Sequence, residues 1–114
     1  MRGDIDRLID IVEAIDAILR HTAAGRESFD TNELVRVWCL RHIEVVGEAA
    51  SRLSEELRQK YPIAPWRSIV AMRNALIHGY FDTDWDAVWA VVSNDLLPLR
   101  QAITEILKDE NKEY

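Results

Sequence analysis

Arg73, Asn74, His78 and Tyr80 fall within the eight-residue stretch RNALIHGY. Arginine is permanently cationic and presents a planar fork of donors that suits phosphate. Histidine exchanges a proton near neutral pH. Cleavage of RNA needs both. The 2′-hydroxyl of RNA is a built-in nucleophile, so a protein need supply only a proton-transfer group and a cation for the charge developing on phosphorus. Each residue also has a plainer reading. Arg73 on an apolar helix stripe would pair with Glu44 or Glu48, because an unpaired buried charge costs several kcal/mol. His78 would favour the negative end of a helix dipole. Tyr80 would be a half-buried packing aromatic. The chain contains no GxxxxGK[ST], HExxH or GxSxG pattern.

The spacing constrains how these residues meet. Asn74 and His78 are four apart and stack on one helix face, so the amide can orient the imidazole. Arg73 and His78 are five apart, which separates them by about 140° around an ideal helix. They converge only if the last turn unwinds before Gly79 or if a second copy of the chain supplies one of them.

Charge sharpens the question. No acidic residue lies between Glu56 and Asp82. Arg58, Lys60, Arg67 and Arg73 give that island +4 with His78 neutral, leaving −10 for the rest of a chain whose net charge is −6. Uneven charge by chance is one reading. A local anion site, in which Lys60 and Arg67 contact phosphate, is the other.

The elements that must position these residues read as helices. Ile5, Leu8, Val12, Ile15 and Leu19 recur at helical spacing, with Ile9, Ile11 and Ile18 widening the face, and predict a helix over residues 4–21 that stops at Gly25. Asp30 with Glu33 resembles a capping box. It would open a second helix running to Gln59, about 45 Å long. Val35, Cys39, His42, Val46, Ala49 and Leu53 form its seam. Its middle is apolar nearly all round, as in a central helix or one between two subunits. Pro62 and Pro65 break it. Pro65 suits the first position of a third helix over 65–78, whose stripe carries Trp66, Ile69 and Arg73 and whose C-cap is Gly79. Thr83 is the expected N-cap of a fourth helix with Trp85, Val88, Trp89, Val92 and Leu96 inward. Pro98 should kink or break it and disfavour helix at Leu97. Leu99, Ile103 and Ile106 face inward from a fifth piece. No strand periodicity is present. These signals predict one all-α domain over residues 1–114, an up-and-down bundle of four to five helices.

Composition agrees. An apolar fraction of 48% beside 30% charged residues belongs to a globular chain rather than a disordered one. The single cysteine, Cys39, permits no internal disulfide, as suits a reducing cytoplasm. No apolar run reaches the roughly 18 residues of a membrane span. The charged N-terminus does not read as a signal peptide.

The quoted residues also resemble a known family. Arg73-x4-His78-x-Tyr80 is similar to the RX4HXY signature of the HepT toxins, the DUF86 group of the HEPN superfamily. HIEVVGEAASRLS, PWRSIVAMRNALIHGYF and DWDAVWAVVSNDLLPL resemble that family's other blocks. The resemblance implies an all-helical homodimer whose two Arg/His motifs meet in an interfacial cleft. It implies a metal-independent endoribonuclease that needs no cofactor and leaves a 2′,3′-cyclic phosphate and a 5′-hydroxyl. It further implies a cytoplasmic toxin of a type VII toxin–antitoxin system, partnered by an MntA-like nucleotidyltransferase antitoxin that transfers AMP to the motif tyrosine. Carried over, Arg73 and His78 are catalytic, Asn74 supports them and Tyr80 is modified. Adenylyl phosphates on Tyr80 would exclude RNA by charge and bulk. The alternative is a non-catalytic helical module that binds substrate or nucleotide for a nucleotidyltransferase; a purely structural dimer adaptor is a third reading.

Overall fold

Apolar residues recurring every three or four positions bury one face of α1 (Asp4–Thr22), where Leu8, Ile11, Val12, Ile15 and Ile18 are wholly inaccessible. The computed structural model describes residues 3–62, 64–66, 69 and 83–110. Among them there is no strand, and the fold is all-α. Asp4 and Asp6 lie in the first turn of α1 and Arg20 and His21 in its last, matching the helix dipole at both ends. The helix stops where expected. Gly25 follows with φ +97°, a conformation that side chains rarely tolerate, and its N–H bonds the Thr22 carbonyl at 3.0 Å.

The single helix expected from residue 30 to 59 is three pieces. A short α2 (Arg26–Thr31) precedes α3 (Glu33–Ser51), and α4 (Glu55–Lys60) follows. The cap of α3 is Asn32, not Asp30: its side chain accepts from the N–H groups of Leu34 and Val35 at 3.0 and 3.4 Å. The break at residues 52–54 has two causes. Ser54 is extended and caps α4, its hydroxyl accepting from the Leu57 N–H at 3.1 Å. Asp4 of α1 holds Ser54 in place, accepting from its N–H at 2.9 Å and its hydroxyl at 2.6 Å. Arg58 then turns back and donates to the carbonyls of Ser51 and Leu53, each at 2.9 Å, and Ala50 at 3.4 Å. The orphan carbonyls at the end of α3 are thereby satisfied by a cation.

The last helical region also departs from expectation. Asp84, one residue later than Thr83, caps α5 (Trp85–Ala90), accepting from the Ala87 N–H at 3.1 Å. Pro98 does not break the chain's helical course, and Leu97 is helical. A π-helical turn (Val91–Asp95) leads into α6 (Leu96–Asp109), and the Leu96 N–H reaches back five residues to the Val91 carbonyl. Proline clashes with the carbonyl four residues before it. Widening the preceding turn to a five-residue hydrogen bond moves that carbonyl aside.

Contacts fix the layout. Asp4 meets Ser54, while Trp38 donates to the Ala17 carbonyl at 2.9 Å, so α1 and α3 run antiparallel. Arg100 near the start of α6 bonds Asp16 near the end of α1 at 2.6 and 3.2 Å, so α6 is antiparallel to α1 as well. The core between them joins Ile15 and Ile18 to Ile43, Val46, Leu96 and Ile103. Phe29 of α2 closes it, packed on Trp85 and Trp89. The face of α3 that turns inward is Cys39, Ile43, Val46 and Ala50. His42, expected in that seam, lies one position off it, half-buried.

Charge-assisted hydrogen bonds contribute about 1.5–3 kcal/mol each where desolvated. Arg58 makes three, but its buried Nε has no partner, which offsets part of the gain. Arg58→Met is expected to lower stability by about 2 kcal/mol, read as an earlier urea midpoint at unchanged slope. An unchanged midpoint would mean that the carbonyls of α3 need no cap.

Candidate functional site

Arg67, Arg73, Asn74, His78 and Tyr80 lie outside the described residues. Lys60 lies within them, as do the anchors on either side of the motif.

The upstream anchor is built on Tyr61. Its N–H closes α4 on the Leu57 carbonyl at 3.1 Å, and its own carbonyl accepts from Ala64 N at 3.2 Å and from the Trp66 indole at 3.0 Å. The Ile69 N–H donates to the Pro65 carbonyl at 3.0 Å. Pro65 is therefore the N-cap of this turn, and the helical residues begin at Trp66, one position later than expected. Trp66 and Ile69 are buried, so the stripe predicted to carry Arg73 begins inside the core. The Tyr61 hydroxyl lies within hydrogen-bond distance of the Asp109 and Glu110 carboxylates, both at 2.5 Å, at the end of α6. Those two carboxylates raise the Tyr61 pKa, Asp109 most.

Lys60 pairs with Glu110 at 2.6 Å, its side chain 57% exposed. The lysine raises its affinity for protons in that pair, and the Glu110 carboxyl is held below its ordinary range by Lys60 first and Tyr61 second. Two cations of the basic island are thus engaged by the fold itself, Arg58 on helix carbonyls and Lys60 on a carboxylate. The remaining two, Arg67 and Arg73, belong to the motif stretch.

Downstream, Asp84 caps α5 and Trp85 packs edge-on to Phe29, their centroids 6.3 Å apart. The Arg36 guanidinium lies 5.6 Å from the Trp85 ring centroid and donates to the carbonyls of Phe29 and Asp30. Arg26 bridges Asp86 and Asp30. The Asp86 contact, ahead of that with Asp30, raises the arginine's pKa. A cationic and aromatic clasp thus joins α2 and α3 to the start of α5. Among the described residues, no group of three or more His, Cys, Asp or Glu side chains is placed to hold a metal ion.

The Lys60–Glu110–Tyr61 cluster carries a pH signature. A depressed carboxyl pKa stabilises the fold above the ordinary glutamate value of 4.5 and loses that contribution as pH falls below it. A raised tyrosine pKa acts oppositely: its contribution is present below the ordinary value of 10.0 and is lost at higher pH. Lys60→Gln should therefore lower the urea midpoint at pH 7 and leave it close to wild type at pH 3. A deficit that persists undiminished in acid would show that the ion pair is not its source.

The chain matches the family described as ribonuclease HepT-like over residues 11–106. It is 32% identical over 108 residues to the "Probable ribonuclease HepT" of Thermococcus cleftensis, covering 94% of this chain and 98% of that protein. It is 33% identical over 103 residues to a protein of Methanocaldococcus jannaschii named as a putative RNase, covering 90% of this chain and 85% of that one. A longer protein of the same archaeon, named as a gamma-glutamylcyclotransferase and putative RNase, is 34% identical over 114 residues, 98% of this chain and 51% of its own length. No solved structure matches the chain significantly. The helical fold, the motif stretch lying inside the matched residues and relatives matched over nearly their whole length place this chain in the HepT-like ribonuclease family.

Proposed function

We propose that this protein is a metal-independent endoribonuclease acting as a homodimer, in which Arg73 and His78 of paired motifs serve one phosphodiester. The observation that carries this reading is the family match across residues 11–106, which contain the complete Arg73, Asn74, His78, Tyr80 set. The chemistry is internal transfer. The 2′-hydroxyl gives up its proton and bonds the adjacent phosphorus, the bond to the 5′-oxygen breaks, and that oxygen takes a proton. His78 moves protons, and Arg73 balances the charge on the phosphoryl oxygens. Asn74 orients the imidazole. Arg67 and Lys60 hold flanking phosphates, Lys60 by exchanging Glu110 for one. Products carry a 2′,3′-cyclic phosphate and a 5′-hydroxyl.

The same reading makes the protein a cytoplasmic toxin of a type VII toxin–antitoxin system. A nucleotidyltransferase antitoxin transfers AMP from ATP to the Tyr80 hydroxyl, releasing pyrophosphate. The added phosphate places negative charge beside Arg73 and His78 and keeps RNA away.

A second reading follows from one observation. The chain's net charge is −6, and two of its four island cations are committed within the fold. Affinity for RNA rises with phosphate contacts, so few remaining cations suit a non-catalytic module that binds nucleotide for a nucleotidyltransferase. The two readings diverge in one assay.

Purified protein incubated with RNA in EDTA should yield cyclic-phosphate ends, and Arg73→Ala or His78→Ala should slow cleavage by about 10²–10⁴-fold while remaining folded. Wild type alone should arrest bacterial growth and either variant should not. An RNA-inert wild type would leave the binding module. For the modification, Tyr80→Phe should resist the mass gain of AMP that wild type shows with ATP and a nucleotidyltransferase antitoxin; AMP found on another residue would remove Tyr80 from this role.

A further inference from the structure

Tyr61 is bonded in three directions. Its N–H reaches back to the Leu57 carbonyl at 3.1 Å, and its carbonyl accepts forward from the Ala64 N–H at 3.2 Å and the Trp66 indole at 3.0 Å. Its hydroxyl reaches sideways to Asp109 and Glu110, 48 and 49 residues away in the chain. The first two directions belong to the turn itself. The third does not, and Lys60 doubles it by pairing with Glu110 at 2.6 Å while lying 5.5 Å from the Tyr61 ring centroid.

The two carboxylates stand where a helix alone would not favour them. Asp109 is the last residue of α6 and Glu110 is its C-cap. Negative charge there opposes the negative end of the helix dipole. The Tyr61 hydroxyl and the Lys60 ammonium offset that repulsion, so the end of α6 is matched to the end of α4 rather than to its own helix. A local rule broken at one place and compensated from another marks a position whose placement matters.

What is placed is the start of the motif. α4 is held at both ends, by Asp4 of α1 on Ser54 and by the end of α6 on Tyr61. Trp66, bonded to the Tyr61 carbonyl, and Ile69 are both buried. In sequence Arg73 follows Ile69 by four residues and Trp66 by seven, the spacing of one face on the helix expected over residues 65–78. A shift of Tyr61 would be carried along that face to the guanidinium. A misplacement of about 1 Å far from the chemistry can cost about 10²-fold in rate.

We infer that Tyr61 is a positioning residue for RNA cleavage: through its hydroxyl on Asp109 and Glu110 it fixes the direction in which the motif leaves α4, and with it the place of Arg73 and His78. This rests on the nuclease reading proposed above and adds to it a residue outside the signature. The hydroxyl is engaged by α6, so its loss acts on the alignment of the reacting groups rather than on the grip on RNA.

Tyr61→Phe removes the hydroxyl and keeps the ring. In EDTA, with circular dichroism showing the full chain folded, kcat for RNA cleavage should fall at least about tenfold while KM stays within about twofold. Asp109→Ala with Glu110→Ala should lower kcat to the same extent, and adding Tyr61→Phe to that pair should cost nothing more. Asp109→Asn with Glu110→Gln keeps both acceptors and should recover most of the rate. Hydrogen exchange reads the same anchor without RNA. In Tyr61→Phe the Trp66 indole and the Ile69 amide should exchange at least about tenfold faster relative to the amides of Ile15 and Ile18. Unchanged relative exchange would overturn the inference whether or not RNA is cut. So would a wild-type kcat in Tyr61→Phe, or losses that simply add. A folded wild type that cuts no RNA, yet whose Trp66 and Ile69 are loosened by the substitution, loses the enzyme and keeps the anchor.

Discussion

Asp4, in the first turn of α1, accepts two hydrogen bonds from Ser54, and the direction of the chain beyond α3 depends on that contact. Without it, residues from Glu33 to Lys60 have the composition to continue as one helix. A helix of about 30 residues spans about 45 Å, longer than the 41 Å principal dimension of the whole molecule. The bond to Asp4 ends α3 where α1 begins. Ser54 then starts α4 at an angle, and Arg58 closes the exposed carbonyls left behind. Tyr61 follows within one turn and ties the new direction to the end of α6. The motif stretch therefore leaves from a point set by three helices at once.

This arrangement also changes what the basic island is. In one dimension it is four cations free of neighbouring carboxylates. In the folded chain the carboxylates come from elsewhere, Glu110 reaching Lys60 and Asp109 standing beside it. Arg58 spends its charge on backbone carbonyls. The other two cations, Arg67 and Arg73, fall within the motif stretch.

α3 packs along α1 at the centre of the fold. Its inward face is small and tightly packed, with Cys39, Val46, Gly47 and Ala50 buried. Burial raises the Cys39 thiol to about 11, so it serves as a packing residue and not as a nucleophile. The apolar belt noticed in the primary structure is thus a buried inward stripe and an exposed pair, Leu34 and Trp38.

How far the primary structure carries can be judged residue by residue. Spacing of Leu8, Val12 and Ile15, the glycine at 25 and the inward set Val88, Val92, Leu96, Leu99 and Ile103 correctly announce helices and their buried faces. Side-chain periodicity is a local property, and burial follows it. The RNALIHGY stretch and its surroundings announce the family, because that signal lies in residue identity. Of the candidate site, only the types of Arg73, Asn74, His78 and Tyr80 and their order could be read; which of them meet is a matter of angle around a helix and of tertiary placement. The helix break at residues 52–54, the pairing of Lys60 with Glu110, the exposure of Trp38 and the π-turn ahead of Pro98 were not readable in advance. The first two join residues 50 apart in the chain, and no local propensity encodes a partner that only folding brings within reach. The last two turn on which carbonyl or surface a neighbouring side chain occupies. Local pattern therefore names the helices and the candidate reacting groups, while long-range hydrogen bonds and ion pairs decide where helices end and which charges meet a carboxylate.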